Sequence, residues 1–274
     1  MRWRVELAGR RAYVVGGSQG IGLAAARRFA ASGAELVLFA RREALLHRAA
    51  LDLRARHPAL RVSLRPLDVC DPRAVRAVMD EVVGTVGPPD LLLNCAGRAR
   101  PAHFDEIPEG QVEETLRLNF LGTWYTVRAL LEPLVARRGI VVNTASLAGL
   151  TGVFGYTDYC ASKFAVVGFS EALRRELGPR GVRVHVLCPP DTDTPGLAEE
   201  NRRKPPETAA ISARARVLSA DAVAEALVRG LGRRRLLIVP GFEGRLAVLA
   251  QRLAPGLVDW LSDRTVGALH RGGG

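Results

Sequence analysis

Tyr159 and Lys163 stand four residues apart in Tyr159-Cys-Ala-Ser-Lys163, so on a helix their phenol and ammonium share one face, one turn apart. A free phenol, with a pKa of about 10, is a poor acid at neutral pH, and a neighbouring cation moves it toward the useful range. The pair therefore predicts a proton donor, with Lys163 supplying the bias. Upstream, Ile140–Ala145 reads as a buried strand, and Ser146 lies just past its carboxyl end, placed to hydrogen-bond a substrate carbonyl.

A second chemical feature lies near the amino terminus. The apolar run Ala12–Val15 leads into Gly16-Gly-Ser18-Gln19-Gly20-Ile21-Gly22 and then into the helix-forming stretch Leu23–Ala30. Strand, glycine turn and helix follow in the order a pyrophosphate site requires: glycines permit close backbone approach, and the amides of the following helix favour negative charge. At the end of the next apolar strand, dinucleotide folds that take NAD commonly carry an acid for the ribose 2′-hydroxyl. Here that strand ends Leu38-Phe39-Ala40-Arg41-Arg42. Arg41 and Arg42 offer planar guanidinium groups suited to a 2′-phosphate, or else solvated charges at the start of a helix. The expected cofactor is NADPH/NADP+.

These groups need elements to hold them. Apolar, β-rich runs at 11–15, 35–40, 61–67, 90–94, 140–145, 182–188 and 235–239 alternate with helical stretches, one of them Val112–Arg137, which contains Asn119. The pattern predicts an α/β fold of the Rossmann type, a doubly wound, seven-stranded parallel sheet with helices on both faces. With 274 residues and 48% hydrophobic content, the chain can bury one large core. We expect one catalytic domain over 1–241, including a substrate lid at about 189–215, and an amphipathic helical extension over 242–274.

Taken together, these residues resemble the short-chain dehydrogenase/reductase family over nearly the whole chain. Gly16, Gly20 and Gly22 match its Gly-x-x-x-Gly-x-Gly, Asn94-Cys95-Ala96-Gly97 its Asn-Asn-Ala-Gly, and Asn119, Ser146, Tyr159 and Lys163 its catalytic tetrad. Val15, Cys95 and Pro190 stand where many members have Thr, Asn and Gly. The resemblance implies hydride transfer to a ketone with Tyr159 as proton donor, Lys163 binding the nicotinamide ribose, and Asn119 supporting a water that relays protons to Lys163. It also implies cofactor contacts by Ser18, Gln19, Ile21, Val69, Asn94, Ala96, Gly97 and Pro189. Asp68 resembles the family acid that contacts the adenine, or alternatively caps the helix that begins near Ala74. Relatives often assemble as dimers or tetramers through the helices bearing Asn119 and Tyr159, so a homo-oligomer is expected.

A narrower resemblance follows the sixth strand. Pro189-Pro-Asp-Thr-Asp-Thr-Pro-Gly196, running on to Thr208, is similar to the corresponding loop of the 3-ketodihydrosphingosine reductases. It implies a long-chain sphingoid ketone as substrate, reduced to the 3-hydroxy product. Thr192 and Thr194 are candidates to donate to the cofactor carboxamide, with capping of a turn or short helix as the alternative. A substrate with an amine invites a carboxylate near the pocket mouth, and Asp191, Asp193, Glu199 and Glu200 are the candidates. The other readings are a ketone reductase acting on 3-ketoacyl thioesters, which would share the tetrad, and a nonenzymatic NADP(H)-binding module, for which a defective tetrad would be expected.

Charge and composition exclude other classes. The net charge is +11, but the arginines are dispersed and aromatic content is 5%, without a nucleic-acid recognition motif. Four scattered cysteines and five histidines form no ligand spacing, so no metal is expected, and His185 reads as a strand residue. Reduced thiols, and a start in which Met1-Arg2-Trp3-Arg4 runs directly toward the first strand without a signal segment, point to a cytoplasmic protein. From Phe242 to Leu269, leucines and Trp260 alternate with Arg245, Arg252 and Arg264, and Pro255-Gly256 divides the stretch. Its apolar runs fall short of the roughly 20 residues a spanning helix needs. Such a tail either lies on an anionic membrane surface or packs on protein.

Overall fold

The structure, a computed structural model, describes residues 6–213 and 215–272; the expectation for Met1–Arg4 lies outside them. Six strands, β1 (Arg11–Val15), β2 (Glu35–Ala40), β3 (Val62–Pro66), β4 (Leu91–Asn94), β5 (Ile140–Thr144) and β6 (Arg183–Leu187), are joined at one edge by the short strand Leu237–Ile238. The sheet order is β3-β2-β1-β4-β5-β6 and then the edge strand, and every pairing is parallel. The expected doubly wound, seven-stranded sheet is present.

Its two faces are separated by the two-residue period of the strands. Ala12, Val14, Leu36, Leu38, Leu91, Leu93, Ile140 and Val142 face one core, shared with α1 (Gly20–Ala31), α2 (Glu43–Arg56) and α10 (Ala220–Leu231). Tyr13, Val15, Val37, Phe39, Leu92 and Val141 face the other. That second core is covered by α3 (Pro72–Thr85), α5 (Gly122–Ala129) and α7 (Thr157–Leu177). Because both faces are covered, the strands are apolar without alternation, which is why they read as continuous runs.

The stretch expected as one helix over 112–137 is broken in two places. The helix α4 (Glu109–Leu116) passes into a π-helical turn at Arg117–Leu121 before α5 begins, and α6 (Leu131–Ala136) follows a break at Leu130. The wide turn holds Asn119 fully inside the protein, and such bulges frequently mark functional positions. The second break precedes Pro133, which lacks the amide needed to bond the carbonyl of Ala129. Beyond β6, the lid carries α8 (Pro195–Asn201) and α9 (Pro206–Ser212), and the chain ends in α11 (Phe242–Leu253) and α12 (Pro255–Gly272).

Candidate active site

The chain reverses its winding direction between β1 and β4, which leaves a crevice at the carboxyl ends of these strands. A cleft of about 840 Å³ occupies it, floored by the glycine turn, Thr144, Ser146, Tyr159 and Lys163 and roofed by lid residues from Pro189 to Ala215. At the glycine turn the backbone is closely packed. A Cβ on Gly22 would lie 2.2 Å from the Gly16 carbonyl oxygen, and one on Gly16 would lie 2.7 Å from the Ala96 amide nitrogen. Gly20 takes φ +57°, the left-handed conformation that side chains resist. Ser18, Gln19, Gly20, Ile21, Gly22, Val69, Ala96 and Gly97 all line the cleft, as do Arg41 and Arg42.

Arg42 donates to Gln19 Oε1 at 3.0 Å, tying the end of β2 to the glycine turn, while Arg41 lies 3.9 Å from Asp68 and remains largely exposed. Asp68 accepts the Cys70 amide, and the cap of α3 is instead Asp71, which accepts the amides of Arg73 and Ala74. Asn94 is placed differently from the expectation. It is buried, donating to Asn143 Oδ1 at 2.9 Å and accepting from Thr126 at 2.8 Å, and so it pins β4 to β5 and α5 inside the body instead of lining the cleft.

The residues proposed for chemistry converge from three separate elements. Ser146 follows β5, Tyr159 and Lys163 come from the first turns of α7, and Asn119 from the π turn. The Ser146 and Tyr159 side chains line the same cleft, close enough for the Ser146 hydroxyl to act on the ionisation of the phenol. The buried Lys163 amine donates to the Thr144 carbonyl at 2.9 Å and lies 5.6 Å from the centre of the Tyr159 ring. Asn119 accepts the Arg98 amide and donates to the Arg98 carbonyl and to Ser162, each at 3.0 Å. It thereby clamps the strand-end loop next to Gly97, where a Cβ would meet both Asn119 Oδ1 and Lys163 Nζ.

The electrostatics depart from the reading by spacing alone. Burial pushes the Tyr159 phenol up, the Glu200 carboxylate pushes it further, and the Ser146 hydroxyl pulls it back. Burial also brings the Lys163 ammonium down to about 8. Enclosure disfavours both charged forms, so it outweighs the lysine bias expected on the phenol. The phenol is held protonated, the form a donor needs. Lys163 keeps its charge below pH about 8 and loses it above, so ketone reduction is expected to hold its rate in acid and neutral solution and decline as pH rises through that value. A kcat/KM profile that stays flat well into the alkaline range would remove the role of Lys163.

The lid threonines have local partners. Thr192 donates to the Pro190 carbonyl at 2.8 Å, and Thr194 accepts the Leu197 amide at 3.1 Å, capping α8. This is the capping alternative, although both still line the cleft with Pro189, and a Cβ on Gly20 would touch the Thr194 methyl at 3.2 Å. Among the lid acids, Asp193 is exposed, and Glu199 is exposed and paired with Arg202 and Arg203. Asp191 and Glu200 instead meet Lys204 Nζ at 3.3 and 3.6 Å, and the lysine side chain is 3% exposed. Glu200 also accepts the Tyr156 hydroxyl. Tyr156, Arg98 and Arg100 line the cleft without having been singled out in the sequence. The signals available were an aromatic residue three positions before Tyr159 and two cations directly after Gly97. His185 sits in β6 bonded to the Arg235 carbonyl at 2.9 Å, and burial holds it neutral, down to about 4. Among the described residues no cluster of His, Cys, Asp or Glu could hold a metal ion.

Comparison with known proteins places this geometry. The chain is 39% identical over 232 residues to a 3-ketodihydrosphingosine reductase of Mus musculus, covering 82% of this chain and 69% of that one. A short-chain dehydrogenase/reductase from Burkholderia phymatum solved in complex with NAD superposes with a TM-score of 0.81 at 27% identity, covering 92% and 96% of the two chains. The L-sorbose reductase of Gluconobacter frateurii, solved with NADPH and L-sorbose, superposes with a TM-score of 0.74 at 26% identity, covering 87% and 97%. Residues 10–205 match the family model for short chain dehydrogenases. With that match, and with the serine, tyrosine and lysine gathered at the switch point of a parallel sheet, the chain belongs to the short-chain dehydrogenase family.

Proposed function

We propose that this protein reduces the ketone of 3-ketodihydrosphingosine to the alcohol of dihydrosphingosine with NADPH as reductant. The observation that carries the reading is the similarity to 3-ketodihydrosphingosine reductase across 82% of the chain, joined to a cleft with a protonated tyrosine at its floor. The residues fit the cofactor: the glycine turn is a cradle that a Cβ would fill, and Arg41 and Arg42 border the cleft at the end of β2. When bound, NADPH supplies the hydride that reduces the ketone carbon.

The chain does the rest. The Ser146 hydroxyl holds the ketone oxygen, and the Tyr159 hydroxyl gives its proton to that oxygen as charge develops there. Lys163 is placed to replace the proton lost by Tyr159, and Asn119 positions the Gly97–Arg98 backbone against which Lys163 packs. Purified protein should oxidise NADPH when given 3-ketodihydrosphingosine in detergent micelles and do so far less with a short β-keto ester. Turnover of the short ester alone would remove the sphingoid assignment and leave a reductase of another ketone, such as a 3-ketoacyl thioester.

The domain reading follows the same lines: residues 1–241 form the catalytic body and 242–274 an extension. No helix among the described residues is long and apolar enough to cross a membrane. The extension leaves Phe242, Leu246, Leu249, Leu253, Leu257, Trp260 and Leu261 exposed. They recur at the spacing of one helix face, interrupted by arginines, the composition of a helix that lies in a membrane interface. At its start, the buried Gly244, on the opposite side of α11 from these residues, abuts Leu147, a residue of the cleft wall, so the extension packs beside the substrate site with its apolar face turned outward. We therefore infer peripheral membrane contact at the cleft's edge, suited to a lipid substrate. Leu249→Glu combined with Leu253→Glu should lower the binding constant for anionic phospholipid vesicles, read by co-sedimentation, by about 30-fold or more, taking about 1–1.5 kcal/mol per buried leucine as a conservative loss. Unchanged co-sedimentation would defeat the membrane role.

A homo-oligomer is supported by the exposed Trp124 and Phe164 on the helices expected to pair, with the Trp124 ring tilted against that of Phe169, centres 5.0 Å apart. A monomeric mass by light scattering would defeat it.

A further inference from the structure

Glu200 is the lid acid that reaches the tyrosine beside Tyr159, a position the catalytic chemistry does not explain. It sits on the last turn of α8, 44 residues from Tyr156 in sequence, yet it accepts the Tyr156 hydroxyl, and the Tyr156 and Tyr159 rings are 5.8 Å apart. Its side chain is 17% exposed and lines the same cleft as Ser146 and Tyr159. Lys204, its ionic neighbour at 3.6 Å, is shared with Asp191 at 3.3 Å and with the Ser212 hydroxyl at 3.1 Å. Two carboxylates thus surround one ammonium, and this corner of the cleft keeps a surplus of negative charge. Arg203, a lid cation that itself lines the cleft, is drawn to Glu199 at 3.2 Å instead. Surplus charge in a partly enclosed wall is costly unless a cation answers it.

The substrate proposed above carries such a cation on the carbon next to its ketone. With the ketone oxygen on Ser146 and Tyr159, that ammonium has to fall within two bonds of the reacting carbon, at the wall beside Tyr159. Asp193 and Glu199 are exposed and point to no such position, since Glu199 is committed to its arginines and Asp193 lies on the outer surface.

We propose that Glu200, held by Tyr156 and Lys204, binds the substrate's ammonium group and makes the enzyme selective for 2-amino ketones. Tyr156 restricts the carboxylate's rotation, and Lys204 and Tyr156 favour its ionised form against burial, which pushes its acid strength the other way. Answering the surplus charge also lowers the field that opposes proton loss from Tyr159, so the cognate substrate aids the step it undergoes. This inference rests on the sphingoid reading of the site.

The test compares two ketones of equal chain length in detergent micelles, 3-ketodihydrosphingosine and its analogue lacking the amine, with wild type and Glu200→Gln. The glutamine keeps size and hydrogen bonding and removes the charge. The wild type should favour the amino ketone, and the substitution should lower kcat/KM for it by about 10- to 100-fold, the worth of a charged hydrogen bond, while changing the desamino ketone less than about threefold. A structural role for the Tyr156 contact would lower both substrates alike, and that result, or no change in either, overturns the proposal. Should Glu200→Gln fail to fold, wild type alone decides. Dihydrosphingosine should then inhibit at least about tenfold more tightly than its desamino analogue, and equal inhibition overturns the proposal. A wild type active on the desamino ketone but without preference for the amine sinks this inference only. Inactivity toward both long-chain ketones, with turnover of a short β-keto ester, removes the sphingoid reading and this inference with it.

Discussion

Tyr159→Phe is expected to lower ketone reduction by about 10³-fold or more, near the upper part of the 10²–10⁴ range for positioned proton transfer. The phenyl ring keeps the packing against Tyr156 and the Lys163 amine. What it loses is the hydroxyl beside Ser146, the group proposed to give its proton to the substrate oxygen. NADPH affinity, followed by the cofactor's fluorescence, should stay within about threefold, because the hydroxyl contributes at most one neutral hydrogen bond to it. Substantial residual turnover would show that another group supplies the proton. Among the described residues lining the cleft, the only other phenol is Tyr156, whose hydroxyl is engaged by Glu200 and is pushed up further by burial and that carboxylate. It is poorly placed to substitute.

Arg41→Ala is expected to raise the KM for NADPH by about 10- to 100-fold while altering that for NADH less than about threefold, since a guanidinium–phosphate bond is charge-assisted and the ribose hydroxyl of NADH offers it little. Arg41 is well suited to the role because it is only weakly held: its ion pair with Asp68 is long, at 3.9 Å, and the side chain is 57% exposed. Arg42 is already bonded to Gln19, so Arg42→Ala should give the smaller effect. Equal efficiency of the two cofactors in wild type would overturn the NADPH preference.

Much of this molecule was legible from its residues because the signals are local. Apolar runs with short spacers report strands buried on both faces, and Gly16, Gly20 and Gly22 report a backbone that must pass very close to itself: a Cβ on Gly22 would stand only 2.2 Å from the Gly16 carbonyl oxygen. Four-residue spacing put Tyr159 and Lys163 on one face of α7. The break at Asn119 was not legible, since a π turn has nearly the same residue preferences as the helix around it and is set by what its side chain reaches, here the Arg98 backbone. Nor was the inward turn of Asn94, because an asparagine at a strand end serves either a ligand or a neighbouring strand, and only the register of β4 with β5 brings Asn143 opposite it.

The acid–base balance shows the same division most clearly. Residue types determined by themselves that a phenol, an ammonium, a serine and a glycine turn would meet at the carboxyl edge of a parallel sheet. Which acid of the lid faces them, and in which direction burial moves Tyr159 and Lys163, was decided only by the folded chain. Both depend on contacts between segments far apart in sequence and on exclusion of water, and no local spacing carries either quantity.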